Sequence, residues 1–378
     1  MLKTADFETL VRDFDAEKPE RSWSLPSRLY TDPGMVDIER DAIFARSWRF
    51  LCHAEKLRAP GSYVTMLVAG KPIVAVRDRD GTLRAFYNVC KHRAHELLKG
   101  EGAAKLITCP YHAWTYFLDG RLRSARGAEK QPGFKSDELC LTEIGIEEMC
   151  SLVFVNLDTA AAPLAVQSGN LAAEITSYAP DIGKLTFAHR LTYTIEANWK
   201  AVVDNFLECY HCPVAHKDFC TLVEMDTYKV TTHGIYSSHM AKAGRAANTA
   251  YAVEGATVTD HAVWFLWPNM ALMRYPGRGN FMVWKFMPAG PERTYEEFDF
   301  FFETADPNAA EKDAIAYIDQ TLQVEDIGLV ESVQRGMRTP AFPAGRYVID
   351  PKGSGMSEHA VHHFHGLVLE ALGKMVRN

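Results

Sequence analysis

No run of consecutive apolar residues in the 378-residue chain approaches the ~20 that a membrane-spanning helix needs. A basic surplus is also missing: 41 Lys and Arg stand against 48 Asp and Glu, a formal net charge of −7. Without a large basic patch to neutralise phosphates, no nucleic-acid partner is expected. No GxGxxG stretch or other nucleotide fingerprint occurs, so a nucleotide cofactor would have to sit on another protein. Internal repeats and low-complexity tracts are absent. The opening stretch, MLKTADFETLVRDFD, is acidic and lacks the apolar segment of a secretion signal, which makes the cytoplasm the expected location. Cysteines are unevenly placed, at Cys52, Cys90, Cys109, Cys140, Cys150, Cys209, Cys212 and Cys220. In a cytosolic chain that pattern favours metal ligands and buried thiols over a disulfide framework.

What is present is a globular composition, 47% hydrophobic and 24% charged, long enough for two domains. Pro19, Pro26 and Pro33 give residues 1–43 the character of an extended arm, expected to pack on the second domain. Asp37 to Phe50 reads as a short helix with Ile38, Ile43 and Phe44 inward. From Gly61 the pattern turns strand-like, with Asp80-Gly81 as a hairpin signal. Leu152–Leu157 closes a first domain over 44–158, and the small residues of 158–168 read as a linker. The second domain, 159–378, opens with a helix at Leu171–Tyr178 and a strand at His189–Glu196. Its later strands alternate so that Trp264 and Leu266 face one way and Phe265 and Trp267 the other. A long helix then runs from Asn308 to Met337. Strands and helices segregated in this way indicate an α+β chain.

The sharpest motif follows the hairpin: Cys90-Lys91-His92, then Cys109-Pro110-Tyr111-His112. Two Cys-His pairs match the Rieske ligation of a 2Fe–2S cluster, with two thiolates on one iron and two imidazoles on the other. The competing reading is a structural Cys2His2 zinc site. Zinc fingers, however, pair cysteine with cysteine and histidine with histidine, whereas each half here supplies one of each.

A second constellation lies in Asn198–Phe219, NWKAVVDNFLECYHCPVAHKDF. Trp199, Val202, Val203, Phe206, Leu207 and Tyr210 form an apolar stripe at helical spacing, and Asp204, Glu208 and His211 fall on the other side. Pro213 must turn the backbone and swing His216 towards His211. Two imidazoles beside carboxylates suggest a metal site; the alternative is a solvated polar face. Further on, Asp326 falls within the stripe Ile315, Ile318, Leu322, Leu329 and Val333. A carboxylate there needs a cation or strong donors. An internal salt bridge would serve, but with His211 and His216 it completes the two-histidine, one-carboxylate set of non-haem Fe(II) oxygenases. Neighbouring Glu325 points off the stripe. The histidines of Glu358–His365, His359, His362 and His363, share a helical face and read as a packed or solvated surface.

NVCKHRAHELL and CPYHAWTYFLDGRLR resemble the cluster loops of Rieske oxygenase large subunits, and NWKAVVDNFLECYHCPVAHKDF resembles that family's mononuclear iron helix. The likeness runs from about Phe44 to the C-terminus, and Ala94 stands where many relatives carry glycine. It implies an N-terminal all-β Rieske domain and a helix-grip catalytic domain, an antiparallel sheet with a long helix. It implies a 2Fe–2S cluster on Cys90, His92, Cys109 and His112, and mononuclear Fe(II) on His211, His216 and Asp326, the last in the family's VED…VQRG context. Glu208 becomes the carboxylate joining the cluster histidine of one subunit to an iron ligand of the next, hence a homotrimer. Asp204 is left in a supporting role. Electrons would come from a separate flavin and iron–sulfur reductase.

Glutamate in ECYHCP resembles the branch acting on quaternary ammonium compounds such as carnitine, glycine betaine and proline betaine. The implied reaction uses O2 to hydroxylate a C–H beside a quaternary nitrogen, with N-demethylation and formaldehyde release when an N-methyl is attacked. Aromatic faces suit such cations, so Trp264, Phe265, Trp267, Tyr193 and Tyr251 are expected cage residues, with a role as core aromatics the alternative. Two other functions stay open: an aromatic-ring hydroxylase or O-demethylase of the same family, and a Rieske electron carrier without catalysis.

Overall fold

The computed structural model describes residues 4–244, 248–253 and 255–377. It divides into two compact units, one of Phe44–Gln167 and one of the residues up to Ile43 together with those from Ser168 onward. Among the described residues no helix is long and apolar enough to cross a membrane.

The Phe44–Gln167 unit is built from antiparallel sheets. Arg49–His53, Leu152–Asn156 and Gly145–Met149 form one; Leu83–Tyr87, Lys71–Arg77, Ser62–Val68 and Glu101–Ala103 form another. A third joins the short strands Ile107–Thr108, Thr115–Tyr116 and Leu122–Ser124. At the Asp80-Gly81 hairpin Gly81 has φ 84°, the left-handed conformation that glycine adopts without steric cost. The helix expected over Asp37–Phe50 is shorter. It runs Met35–Glu39, widens into a π turn at Arg40–Phe44, and gives way to a strand because Arg49 pairs with Val155. The expected linker also differs, since Leu164 is fully buried and a helical turn at Leu164–Gln167 packs back on this unit. Its N–H donates to Glu147 at 2.9 Å.

The larger unit centres on a seven-stranded antiparallel sheet. Its strands are β1 (Thr186–Ile195), β2 (Lys229–His233), β3 (Tyr236–Ala241), β4 (His261–Leu266), β5 (Met270–Arg274), β6 (Phe281–Gly290) and β7 (Arg293–Phe302), in the order β1-β7-β6-β5-β4-β3-β2. Three helices matter for the site: α1 (Trp199–Phe206), α2 (Gln323–Met337) and α3 (His359–Arg377). The N-terminal arm belongs to this unit. Ser24 N–H donates to Gly345 O at 2.9 Å and Ser27 N–H to Pro343 O at 2.8 Å, and Leu25, Leu29 and Tyr30 are buried.

The helix starting at Asn308 opens with a capping box between Asn308 and Glu311. It then passes through a π turn at Ile318–Leu322 before α2 begins. A π turn adds residues to one turn, so a stripe extrapolated across it at 3.6 residues per turn slips round the helix. Leu329 and Val333, expected inside, are 39% and 48% exposed, while Val330 and Gln334 are buried. On α1 the stripe holds for Trp199, Val202, Val203 and Leu207. Tyr210 falls beyond the helix end and is exposed.

Candidate metal centres

The two cluster loops repeat one backbone design. Ala94 N–H donates to Cys90 O and Ala113 N–H to Cys109 O, both at 3.0 Å. Ala94 and Ala113 have φ 56° and 60°, the left-handed region that favours glycine. Cys90 and Cys109 are 2% exposed and belong to an apolar cluster with Val76, Phe86 and Tyr116. Burial pushes the Cys90 thiol above its ordinary pKa, with the Tyr116 hydroxyl 3.4 Å away pulling the other way. His92 and His112 lie nearer the surface with ring centroids 4.6 Å apart, and His92 stacks on Trp114 at 4.9 Å. Two buried sulfurs and two adjacent imidazoles are the donor set that a Rieske cluster takes.

The second centre is assembled from the turn after α1 and the first turn of α2. His211 Nε2 and His216 Nε2 are 3.0 Å apart. Asp326 Oδ1 lies 3.0 Å from His216 Nε2 and 3.6 Å from His211 Nε2. The three ligand atoms fall within 4.8 Å of one another. Both imidazoles are held from behind by a carboxylate. Glu208 Oε1 is 2.5 Å from His211 Nδ1, and its Oε2 accepts from His211 N–H at 3.1 Å. Glu325 Oε2 is 2.7 Å from His216 Nδ1. Each back contact turns the Nε2 of its ring towards Asp326, as second-layer carboxylates do at metal sites.

Electrostatics match a cation site. Burial lowers the His211 pKa, but hydrogen bonds to Asp326 and Glu208 outweigh it and raise the group to about 9. His216 is raised for the same reasons, burial being outweighed by Asp326 and Glu325. Burial raises Asp326, yet the two histidines bring it below the usual carboxylate range. The cluster thus holds protons where a metal ion would take their place. Nitrogen, nitrogen and oxygen on one side of a cavity suit Fe(II) with positions left free.

A disulfide joins Cys209 to Cys212, whose Cα atoms are 4.9 Å apart across the turn between Glu208 and His211. At this pair the expectation of free thiols or metal ligands is corrected: the turn brings two sulfurs together that sequence spacing left apart.

A cavity of about 70 Å³ opens beside the three ligands. Its aromatic walls are Phe206, Phe219, Tyr228 and Trp284, with Asn205, His239 and His261 supplying polar atoms. The five aromatic residues expected to form a cage lie elsewhere. Trp264 is fully buried and donates to Glu174 at 3.1 Å, on the sheet face away from the cavity. Tyr193 donates to Asp319 at 2.7 Å, and Tyr251 donates to Pro276 O at 2.8 Å. Phe265 and Trp267 pack against Phe364 of α3 with centroids 5.6 and 5.9 Å away. Trp264, Phe265, Trp267 and Tyr251 are core aromatics, and Tyr193 is half-buried. The actual lining was findable only from strand register. Ala241 pairs with His261 and His239 with Val263, which puts His239, His261 and Val263 on one face.

The remaining residues singled out by sequence have structural partners. Asp204 accepts from Tyr30 O–H at 2.6 Å and lies 2.8 Å from His365 Nε2. His365 Nδ1 is in turn 2.5 Å from the Tyr347 hydroxyl, so Asp204 ties the arm, α1 and α3 together. His359, His362 and His363 lie about one hydrogen bond from the carbonyls of Val230, Asp15 and Gly234, at 3.0, 2.9 and 3.1 Å, as a packed surface would have them. The exposed Leu329 and Val333 line a second concavity with Phe342 and Tyr347, which Glu208 and His211 also reach.

Known families match both units of the chain. The ring hydroxylating alpha subunit (catalytic domain) family matches residues 182–374, and the Rieske 2Fe–2S domain family matches residues 47–135. The carnitine monooxygenase oxygenase subunit of Escherichia coli (strain K12) is 39% identical over 93% of this chain and 94% of its own length. Chloroplastic choline monooxygenase of Beta vulgaris is 33% identical over 97% of this chain and 81% of its own. A solved quaternary ammonium Rieske monooxygenase, studied for carnitine oxidation by gut microbiota, superposes with a TM-score of 0.86. That match is at 35% identity over 95% of this chain and 98% of the other.

Proposed function

The chain belongs to the Rieske non-haem iron oxygenases, as an alpha subunit with a Rieske 2Fe–2S domain and a mononuclear-iron catalytic domain, and from that premise we propose that it hydroxylates a C–H bond beside a quaternary nitrogen. Cys90, His92, Cys109 and His112 would hold the cluster and His211, His216 and Asp326 the iron, groups that when bound supply one-electron transfer and O2 activation.

The observation that carries the substrate reading is the cavity wall. A quaternary nitrogen has no N–H to donate, so only ring faces and carboxylates can stabilise it once it leaves water. Phe206, Phe219, Tyr228 and Trp284 offer ring faces, and Glu208 offers negative charge. No lysine or arginine lines the cavity among the described residues. A cation over such a ring gains about 0.5–2 kcal/mol when desolvated. The names of the carnitine and choline monooxygenases support the same class.

The chain's own residues have separate tasks. Glu208 fixes the His211 ring from behind and reaches the second concavity, which suits it to join His211 to a cluster histidine of a neighbouring subunit. That role requires a closed ring, here a homotrimer, working in the cytoplasm with a separate flavin and iron–sulfur reductase. Attack at an N-methyl consumes O2, two electrons and two protons and releases water. The resulting N-hydroxymethyl group loses formaldehyde and a proton to leave the tertiary amine.

The test is the reconstituted holoenzyme and reductase with carnitine, choline, betaines and simple aromatics, reading O2 uptake and formaldehyde together. Quaternary ammonium compounds should couple O2 to product, with about three iron atoms per chain. Coupling to neutral aromatics alone would favour the ring-hydroxylase or O-demethylase alternative and end this reading.

A further inference from the structure

Two further buried histidines line the cavity that holds the three candidate metal ligands. His261, 4% exposed, begins β4, and His239, 1% exposed, lies on β3. Register puts them diagonally opposed on one sheet face. The His261 ring stands 5.4 Å from Phe219 and 6.2 Å from Tyr228, and the His239 ring 6.4 Å from Tyr228 and 6.3 Å from Phe206. His239 Nε2 has the Ser237 hydroxyl at 3.1 Å. His261 Nδ1 is buried without any hydrogen-bond partner among the described residues. Leaving such an atom unpaired is unfavourable, a penalty that a ligand supplying the missing partner removes.

Burial pulls His239 down to about 3, with His359 and His261 adding to it, and His261 down to about 4. Both rings are therefore neutral at physiological pH, each with one donor and one acceptor nitrogen. This chemistry discriminates between substrate ends. A carboxylate would enter a cavity lined by Glu208, whose walls among the described residues hold no lysine or arginine to pair it. Burying it without such a partner is strongly unfavourable. A hydroxyl both donates and accepts, and brings no charge.

Resting on the quaternary ammonium reading above, we propose that His261, with His239 beside it, binds the hydroxyl of a quaternary ammonium alcohol. The ammonium end then lies against the aromatic walls, and the substrate is held at both ends across the face of His211, His216 and Asp326. His261 is a specificity residue: it reads the group that distinguishes an amino alcohol from a betaine or a plain alkylammonium.

The experiment is anaerobic calorimetric titration of the holoenzyme, followed by steady-state O2 uptake, with choline, ethyltrimethylammonium and glycine betaine as probes. Choline should bind at least about tenfold more tightly than the other two, as one good hydrogen bond allows. His261→Phe should abolish that preference through Kd and KM by weakening choline far more than ethyltrimethylammonium, and keep iron content and the cluster spectrum. His261→Asn, which restores a donor and an acceptor, should recover part of it. Equal wild-type binding of choline and ethyltrimethylammonium, or tighter binding of glycine betaine, would overturn the assignment even if no variant folds. So would an equal loss for all three probes in His261→Phe. If no quaternary ammonium probe binds or couples O2, the preceding reading falls and this one with it. Ethyltrimethylammonium binding without a hydroxyl preference removes only the His261 assignment.

Discussion

Glu325 Oε2 lies 2.7 Å from His216 Nδ1, on the opposite edge of the ring from Asp326. Two adjacent residues in the first turn of α2 thus grip one imidazole from both sides. Asp326 faces the cavity and Glu325 sets the ring's tautomer and tilt. Glu325→Ala should leave all three ligands in place but weaken iron binding by roughly 10–100-fold, the usual cost of losing an orienting partner. Competition with a chelator, read against unchanged cluster absorption, measures this. Unaltered affinity would mean that packing alone orients His216, which is 3% exposed.

Glu208 holds His211 through two contacts, 2.5 Å to Nδ1 and 3.1 Å from the backbone N–H. Glu208→Gln keeps the volume and a hydrogen-bonding oxygen, so both metals should remain. Turnover should nevertheless fall by roughly two orders of magnitude, because small errors of position are costly at a reacting centre and an amide is a poorer link to a second imidazole than a carboxylate. Iron analysis beside single-turnover oxidation of the reduced cluster separates the outcomes. Loss of iron would make Glu208 a ligand, and full activity would remove it from the electron path.

How far the sequence could be read depended on whether its spacing was local. Cys90, His92, Cys109 and His112 lie within two short loops, and His211 and His216 within one turn, so few-residue spacing carried the information. Asp326 came from a different argument, a carboxylate set in an apolar stripe, and that stripe was itself partly wrong. The π turn at Ile318–Leu322 leaves Leu329 and Val333 outside while Asp326 still faces its histidines. The cavity lining was not readable. Phe206, Tyr228, His239, His261 and Trp284 come from five separate segments of chain, and only sheet register and the bend after α1 bring them together. Trp264 and Tyr193 were attractive as aromatics, but Glu174 and Asp319 hold their polar tips elsewhere. The Cys209–Cys212 pairing was likewise invisible, because it depends on how tightly the chain turns after Phe206.

The arm and the iron helix meet in a buried ion pair. Lys200 Nζ, on a fully buried side chain, is 2.5 Å from Glu39 Oε1, and Trp199 Nε1 donates to Glu39 Oε2 at 2.7 Å. Asn198 Oδ1 takes a further hydrogen bond from Lys200 at 2.9 Å. Removing one partner strands the other charge, so Glu39→Ala should destabilise the protein by about 3–5 kcal/mol. For a unit of this size that is a fall in melting temperature of roughly 10 °C. Thermal unfolding followed by far-UV circular dichroism tests it. A double change to methionine at both positions should recover much of the loss, since the pair's own net contribution is small once both charges are gone.

Glu296 on β7 supplies the pH dependence. Burial is the main cause that pushes its carboxyl up to about 8, and the negative charge of Asp326 adds to it, against the hydrogen bond from the Gln323 amide. The sign follows from proton counting. Below the unfolded value, near 4.5, both states hold the proton and Glu296 has no effect on the balance. As pH rises towards 8, the unfolded chain releases its proton while the folded one keeps it, so stability declines. Above about 8 the folded carboxyl ionises too and the loss levels off, by then on the order of a few kcal/mol. Urea unfolding of the iron-free protein at pH 5, 6.5 and 8 should show this fall. Glu296→Gln, which mimics the protonated form and keeps an acceptor for Gln323, should flatten it. His211 titrates near 9 and falls in part of the same range, but its contribution is common to both proteins and cancels in their difference. Loading iron should also shallow the slope, because a cation at Asp326 removes the repulsion acting on Glu296. If Glu296→Gln leaves the slope untouched, the carboxyl is ionised in the folded protein and its burial is offset by partners other than Gln323.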